Sequence, residues 1–154
     1  MKKHYQIRTI RRDELDRLTK LCELHAEYEK AEYFSEGKAN KLEEAIFGKN
    51  KKIECWVITK ANYFIGYVTL IPQFSTWDAE NYLYLDCLFI KEGHRGQGIG
   101  AKVMKKIHNF ASSNGYSQVQ WQTPSFNEGA IKFYNREGAI GKQKVRFTLN
   151  ISEN

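Results

Sequence analysis

The sequence predicts an α/β fold with a mixed, largely antiparallel sheet, in a single domain that covers residues 1–154. Two observations support this class. The hydrophobic period changes from that of helices to that of strands at Ile53. Further along, the almost continuously apolar run Tyr82–Ile90 is followed by a glycine-rich loop and an amphipathic helix. A chain of 154 residues, 42% of them hydrophobic, can bury a substantial core, and no linker or repeat divides it.

The first half of the chain is predicted to form a strand, two helices and a hairpin. Asp13 can cap the first helix, where apolar positions such as Leu15, Leu18 and Cys22 recur at helical spacing. The hairpin turns at Ala61 and Asn62, between two runs of strand-forming residues. The predicted strands are Tyr5–Ile10, Ile53–Lys60 and Tyr63–Ile71, and the predicted helices run from Asp13 to about Glu29 and from about Asn40 to Phe47.

The second half alternates strands and helices. Tyr82–Ile90 has the continuous apolar composition of a strand that is buried on both faces. After it we expect a helix over Gly98–Ser113, a strand over Gln118–Thr123, a helix over Asn127–Glu137 and a last strand over Lys144–Ile151.

Charge and cysteine content limit the classes of function. The net charge of +6 suits an anionic partner. Nothing except this charge favours nucleic acid as that partner, because the lysine-rich turn at residues 48–52 has no interleaved aromatic residues. The longest apolar runs are a few residues, so a membrane span is excluded and export is disfavoured. Three widely spaced cysteines without a CxxC pair indicate neither a disulfide framework nor a metal site. We therefore expect a cytoplasmic protein that uses no metal.

The glycine-rich loop Arg95–Gly100 is the most informative motif. Glycines between a strand and a helix let backbone amides point at one spot, and the positive end of the helix dipole adds to them. This arrangement can hold a pyrophosphate, although a tight strand-to-helix turn would have the same spacing. The loop is not a P-loop, because no Lys-Ser/Thr pair ends it.

Two blocks of sequence carry a resemblance to a known family. Arg95-Gly96-Gln97-Gly98-Ile99-Gly100 matches the acyl-CoA loop pattern of the GNAT superfamily of N-acetyltransferases, and it follows Leu88-Phe89-Ile90 as in that superfamily. Downstream, Asn127-x-x-Ala130-x-x-Phe133-Tyr134 resembles the superfamily's last shared region. Over nearly the whole chain the sequence is similar to the diamine (spermidine/spermine) acetyltransferases, although Trp121-Gln122-Thr123-Pro124 looks more like bacterial members with varied acceptors.

The resemblance implies a twisted GNAT-like sheet flanked by helices and an acetyl-CoA site. It implies that the backbone of Leu88, Phe89 and Ile90 pairs with the pantetheine arm. It also implies that the pyrophosphate is held by the loop residues Arg95, Gly96, Gln97, Gly98, Ile99, Gly100 and Ala101, and that Asn127, Ala130 and Tyr134 contribute to cofactor binding.

Asp86 and Tyr134 are the candidate catalytic residues. A carboxylate among apolar neighbours is expected to be buried, and it is then either neutralised by a partner or a general base with a raised pKa. The resembled diamine enzymes have Glu at this position, so Asp86 would act directly or through a water. Tyr134 matches the family's general acid, and the alternative is a core tyrosine beside Phe133. Regular pleating would direct Cys87 to the opposite face from Asp86, which disfavours an acetyl-cysteine intermediate unless a bulge turns Cys87 inward.

The expected reaction is direct transfer of an acetyl group from acetyl-CoA to the primary amine of a small molecule such as a polyamine or an amino acid. Candidate acceptor-binding residues are Tyr28, Glu29, Trp77, Asp86 and Gln122. The alternatives are acetylation of a protein Nα or lysine amine, a CoA-binding protein without turnover, and a basic nucleic-acid-binding domain. We expect neither nucleic acid nor membrane as a partner, and the strand predicted over Lys144–Ile151 is a candidate homodimer surface.

Overall fold

The computed structural model describes residues 4–152, which separate into two compact units. The first unit extends to Gln122 and contains the sheet and three helices, and the second begins at Thr123 and contains one helix. The fold class predicted from the sequence is confirmed by this sheet, in which four antiparallel strands are joined by one parallel strand. Within the described residues, no helix is long and apolar enough to cross a bilayer.

The five strands lie in the sheet in the order of the sequence. Neighbours from β1 to β4 pair antiparallel, and the short β5 pairs parallel with β4. β3 continues past the predicted end and through Pro72, which the sheet tolerates because β2 pairs with β3 only as far as Leu70 and leaves one edge open beyond it. The strands are β1 (Tyr5–Thr9), β2 (Glu54–Lys60), β3 (Tyr63–Ser75), β4 (Glu80–Ile90) and β5 (Val119–Gln120).

Helices cover both faces of the sheet, and each face has its own hydrophobic core. α1 (Leu15–Tyr28) and α2 (Lys38–Phe47) pack on one face, around residues such as Val57, Phe64 and Phe89. α3 (Ile99–Ser113) packs on the other face, where Val103 and Ile107 meet the strand residues. Alternation of side chains along each strand therefore serves two cores, which explains the nearly continuous apolar runs of the sequence.

The start of the first helix differs from the sequence prediction. A 3-10 turn over Arg12–Glu14 precedes α1, and the side chain that accepts a hydrogen bond there belongs to Glu14, so the prediction of an Asp13 cap is wrong. Glu14 is buried and accepts two hydrogen bonds from the Arg8 guanidinium, at 2.6 and 2.9 Å, besides one from the Arg11 amide at 2.8 Å. The ion pair between Arg8 and Glu14 thus links β1 to the 3-10 turn that precedes α1.

The second unit has one helix and an extended end. α4 (Glu128–Arg136) is capped by the side chain of Asn127, as the sequence predicts. After a turn with Gly138 at φ +93°, residues 139–152 have no regular secondary structure. The strand predicted over Lys144–Ile151 is therefore wrong for the single chain, because an alternating pattern forms a strand only where a neighbouring strand supplies hydrogen bonds.

Candidate active site

A β-bulge in β4 positions the candidate base. Thr69 of β3 pairs with Cys87, and the next residue Leu70 pairs with Leu85, so Asp86 is an extra residue with no partner in the ladder. The bulge also exchanges the two faces of the strand. Leu83 and Leu85 pack in the core under α3, whereas Cys87 and Phe89 belong to the core under α1 and α2. In a regular strand, all four would have shared one face.

Asp86 is exposed to solvent, so the burial expected from its apolar neighbours is wrong. The extra residue of the bulge leaves the carboxylate outside both cores instead of within the strand's buried faces. The thiol of Cys87 donates to Oδ2 of Asp86 at a sulfur–oxygen distance of 3.8 Å. Asp86 is therefore an accessible carboxylate in the middle of an otherwise apolar strand.

Cys87 does not have the properties of a nucleophile. The pleating is not regular here, because Asp86, the residue before Cys87, is the extra residue of the bulge. Burial, followed by the charge of Asp86, raises the pKa of the Cys87 thiol to about 12. The thiol stays protonated near neutral pH, and a thiol is a poor nucleophile, so the geometry still disfavours an acetyl-cysteine intermediate.

An aromatic cluster joins α1 to β4 on the same face of the sheet. The ring of Phe89 is stacked on His25, with centroids 5.0 Å apart and planes at 16°, and it lies 6.2 Å from the ring of Tyr28. Tyr28 is the last residue of α1 and is 44% exposed, so this candidate acceptor residue borders solvent. The structure thus brings the predicted acceptor residue Tyr28 against the predicted cofactor strand.

His25 connects a buried hydroxyl to a surface carboxylate. Nδ1 lies 2.6 Å from the hydroxyl of Tyr67, and Nε2 lies 3.2 Å from Oε1 of Glu29. Burial raises the pKa of Tyr67, so its hydroxyl stays protonated and can donate to Nδ1; in the tautomer with hydrogen on Nε2, that nitrogen can donate to Glu29. The sequence alone indicates no role for His25 beyond packing. Its helical spacing from Cys22 and Glu29 was the available signal.

The glycine-rich loop has the backbone conformation that a phosphate cradle requires. Gly96 and Gly98 have φ values of +72° and +79°, in the left-handed region that glycine alone adopts easily. A Cβ added to either would meet nothing within 4 Å, so the backbone faces open space. Gly98 is the N-cap of α3 and provides no side-chain hydrogen bond, which leaves the first-turn amides of Ile99, Gly100 and Ala101 uncapped by a side chain.

The side chain of Arg95 turns from this loop towards α1. Its Nε donates to the carbonyl of Ile90 at 2.7 Å, and its guanidinium lies 4.1 Å from the centroid of the Tyr28 ring and 5.6 Å from that of Phe89. The loop residue Gln97 accepts a hydrogen bond from the Tyr5 hydroxyl. The role expected of Arg95 involves its backbone. The contacts of its side chain with Ile90 and Tyr28, which link the loop to the strand and the helix, are not predictable from the local sequence.

One edge of β4 is open where the resemblance expects the cofactor arm. β5 pairs with β4 only at Leu83 and Tyr84, and no strand of the described chain pairs with that edge from Leu85 to Ile90. Leu88 and Ile90 are partly buried against the core under α3, and Phe89 is buried on the other side. The backbone of this segment is thus held by packing on both faces and is open to a strand-like ligand at its edge.

The other candidate acceptor residues separate into two groups. Nε2 of Gln122 donates to the Tyr84 hydroxyl at 2.8 Å. Tyr84 precedes Asp86 by two residues in β4. Trp77 lies in the turn between β3 and β4 and is 94% exposed. Glu80, the first residue of β4 after this turn, is six strand residues from Asp86, a distance of roughly 20 Å. The structure therefore brings Gln122 to the bulge end of β4 and does not bring Trp77 there.

The second unit contains the remaining predicted residues. The side chain of Asn127 accepts from the amide of Ala130 at 3.2 Å and so fixes the first turn of α4. Tyr134 is half-buried in the last turns of the same helix, with its ring 5.3 Å from that of Phe133.

Comparisons with known proteins agree with this geometry. The thialysine N-epsilon-acetyltransferase of Sus scrofa is 28% identical over 141 residues, 86% of this chain and 82% of that protein. The L-ornithine N5-acetyltransferase NATA1 of Arabidopsis thaliana is 28% identical over 74 residues, 48% of this chain and 32% of that protein. The structure of an aminoglycoside acetyltransferase from an uncultured soil metagenomic sample, in complex with sisomicin, superposes with a TM-score of 0.81 at 18% identity and covers 96% of this chain and 97% of that chain. The sequence matches the Acetyltransferase (GNAT) family over residues 18–139, and the chain belongs to that family of N-acetyltransferases.

Proposed function

We propose that the protein transfers the acetyl group of acetyl-CoA to the primary amine of a small molecule, in a ternary complex. The observation that carries this proposal is the bulge of β4, which leaves the carboxylate of Asp86 accessible within the open stretch of strand edge that leads to the glycine-rich loop. A thioester bound along that edge would present its carbonyl carbon near a group able to accept the proton of an amine.

The residues present fit the binding of acetyl-CoA. The open edge from Leu88 to Ile90 suits the amide groups of a pantetheine arm, which can pair as a strand does. The loop from Arg95 to Ala101 suits a pyrophosphate, because the amides of Ile99, Gly100 and Ala101 have no side-chain cap, the left-handed glycines direct the backbone of the loop, and the dipole of α3 adds positive charge. Asn127, Ala130 and Tyr134 are proposed to contribute contacts to the arm from α4.

Two side chains are proposed to move the protons of the reaction. The neutral amine attacks the thioester carbonyl, and Asp86 accepts its proton directly or through a water, while a new C–N bond forms. The C–S bond then breaks, and the phenol of Tyr134 donates a proton to the departing thiolate. Because Asp86 is exposed, the proton that it accepts can pass on to solvent between turnovers.

The acceptor is proposed to be a small primary amine, either a polyamine or an amino acid with a side-chain amine. The similar proteins from pig and Arabidopsis are named for thialysine and ornithine, which supports an aliphatic amine at the end of a short chain. Tyr28 and Glu29 at the end of α1, Gln122 beside Tyr84, and Asp86 itself are the proposed acceptor-binding residues. Trp77 is not part of this proposal, because the structure leaves it at the far end of β4.

The setting of the enzyme is also proposed. Three cysteines that the structure shows as free thiols, half-buried or buried, suit a reducing compartment such as the cytoplasm. The reaction as written uses no metal, nucleic acid or membrane. We propose that the enzyme is a single domain that works as a homodimer.

The test is a thiol-release assay with acetyl-CoA and a panel of acceptors. The panel contains polyamines, ornithine and lysine analogues, an aminoglycoside and a lysine-rich peptide, with a blank for the protein's own three cysteines. We expect turnover with at least one aliphatic small amine. Turnover with the peptide alone would indicate a protein acetyltransferase instead, and tight acetyl-CoA binding without turnover on any acceptor would contradict the proposed enzyme.

Substitution tests the role of the carboxylate. Asp86→Asn is expected to lower kcat about 100-fold, the scale of general acid–base catalysis, with acetyl-CoA affinity unchanged. Asp78→Asn is the matched control, because Asp78 is an exposed carboxylate in the turn between β3 and β4, where it accepts a hydrogen bond from the hydroxyl of Ser75. Equal turnover of the two variants would remove Asp86 as the base.

A further inference from the structure

His25 is held in one orientation, although the reaction proposed above gives it no role. Its side chain is 13% exposed. One face of the ring stacks on Phe89, with the planes at 16°, and the ring meets that of Tyr67 edge-on at a centroid distance of 5.6 Å. Nδ1 lies 2.6 Å from the Tyr67 hydroxyl. Packing and one hydrogen bond together therefore leave the imidazole little freedom to rotate.

The surroundings of Tyr67 determine which nitrogen of this ring carries hydrogen. Tyr67 is buried, and its hydroxyl interacts with the thiols of Cys22 and Cys87. Burial raises the pKa of both thiols, so they stay protonated and can donate to the phenolic oxygen, which leaves the hydroxyl hydrogen for Nδ1 of His25. The other nitrogen of a neutral imidazole is then the donor. Nε2 thus directs a hydrogen at Oε1 of Glu29, 3.2 Å away.

Glu29 lies where its charge does not stabilise the helix. It is the C-cap residue of α1, at the end where the helix dipole is negative. The partial charge of the helix end and the charge of the carboxylate therefore have the same sign, and together they attract a cation. The carboxylate is partly exposed, so a cation can approach it from solvent. His25 bonds one of the two oxygens, and the remaining lone pairs can accept from an ammonium group.

We propose that His25 is a positioning residue, whose Nε2 hydrogen holds the carboxylate of Glu29 in the orientation that binds a second ammonium group of the acceptor while the first amine reacts. This inference rests on the proposed function and narrows the acceptor class to small molecules with two amino groups. A free glutamate side chain has several rotamers, and a donor in a fixed direction selects one of them before the acceptor binds.

The stack on Phe89 relates this carboxylate to the cofactor strand. Phe89 lies in the segment of β4 proposed to pair with the pantetheine arm, and its ring centroid is 5.0 Å from that of His25. One imidazole therefore contacts both the residue that would bind the second amine and the strand that would hold the thioester. Acceptors whose two amines have the matching separation gain binding energy from Glu29, and a monoamine gains none.

Pairs of acceptors that differ only in the second amine test the proposal. The pairs are putrescine with butylamine, and ornithine with δ-aminovalerate. For the wild-type enzyme we expect a KM at least about tenfold lower with the second amine than without it, the scale of one hydrogen bond to a charged group.

His25→Phe keeps an aromatic ring for the stack on Phe89 and removes both nitrogens. We expect it to raise the KM for the member of each pair with two amines roughly fivefold to tenfold, with kcat and the KM for the other member close to wild type. A general defect in folding or in cofactor binding would change both members, so the ratio of the two KM values isolates the effect on Glu29.

Two further variants accompany this substitution. Tyr67→Phe removes only the hydroxyl that selects the tautomer, and we expect a smaller change of the same KM ratio. His108→Phe is the matched control, because His108 is an exposed histidine of α3, on the other face of the sheet. It is expected to leave the ratio unchanged.

A double variant shows whether His25 acts through the carboxylate. Glu29→Gln is expected to remove the preference for the second amine, and adding His25→Phe to it should change the KM ratio no further. A wild-type enzyme without that preference, an unchanged ratio in His25→Phe, or additive effects of the two substitutions would overturn the inference and leave the proposed function standing. Absence of turnover with every acceptor would overturn the proposed function, and this inference with it.

Discussion

Gly66 supports the geometry of the strand on which the proposed cofactor site depends. It lies in β3 opposite Ile90, and a Cβ at this position would be 2.4 Å from the carbonyl oxygen of Phe89, 3.0 Å from Cδ1 of Ile58 and 3.3 Å from Cα of Ile90. Two of these three contacts are with backbone, which cannot rotate away as a side-chain end can. Gly66→Ala therefore has to push β3 and β4 apart.

The cost of this change follows from overpacking of a core that is already filled. Inserting one methyl group into such a site destabilises by roughly 1–3 kcal/mol. For a chain of this length, each kcal/mol lowers Tm by roughly 2–4 °C. Since the displaced atoms belong to Phe89 and Ile90, we also expect a higher KM for acetyl-CoA, and a smaller change in the KM for the acceptor.

Urea unfolding, followed by tryptophan fluorescence, measures the effect. Gly93→Ala is the matched control, because a Cβ there meets nothing within 4 Å and the position has no positive φ. The control is expected to unfold with the free energy of the wild type, within about 0.5 kcal/mol. If Gly66→Ala is as stable as the control, the close approach of β3 and β4 is not a constraint and the reasoning is wrong.

Three further substitutions test separate parts of the molecule. Glu14→Gln is expected to lower the free energy of unfolding by roughly 2–4 kcal/mol, because Arg8 loses its charged partner. The hydrogen bond from Arg8 lowers the pKa of Glu14. The loss of stability, measured by urea unfolding, should therefore be complete above the ordinary pKa of 4.5 and shrink as the pH falls through the lowered pKa. Gly98→Val should weaken acetyl-CoA binding in calorimetry, since valine is strained at φ +79° and crowds the loop amides, and unchanged affinity would contradict the pyrophosphate cradle. Tyr134→Phe should lower kcat with little change in acetyl-CoA affinity, and equal kcat at saturating substrates would remove Tyr134 as an essential acid.

Most of the elements could be predicted from the period of the hydrophobic residues. All four helices and strands β1 to β4 lie within a few residues of their predicted bounds, and in α1, α3 and β2 to β4 the buried hydrophobic residues occupy the apolar positions of the pattern. The longer errors have long-range causes. β3 continues beyond Ile71 because it pairs with β4 as far as Ser75, and the pattern of β3 alone does not indicate where its partner ends.

The C-terminal segment, residues 140–152, illustrates the same limit. Its apolar residues alternate from Val145 to Ile151 as in a strand, yet the structure shows no regular secondary structure over this described segment. The hydrophobic period of a segment shows which side chains a strand could bury. Whether the strand forms depends on a neighbouring strand that pairs with its backbone.

The candidate site could be predicted in its residues but not in its geometry. The loop around Gly98 was identified from its glycines, whose conformational requirement is local. The link from Arg95 to Tyr28, and that from His25 to Tyr67, join positions that are distant in the sequence, and no local pattern reports them. These contacts join α1 to the glycine-rich loop and to β3.

The bulge at Asp86 affects both the packing of β4 and the exposure of the proposed base. A regular β4 would put Leu83, Leu85, Cys87 and Phe89 on one face, so Cys87 and Phe89 could not pack under α1 while Leu83 and Leu85 pack under α3. One extra residue divides these four side chains between the two cores. The inserted residue cannot face either core, so it has to be one that tolerates water, and a short carboxylate does. The same irregularity that lets one strand contribute to two cores therefore exposes Asp86 to solvent, as its proposed role as the base requires.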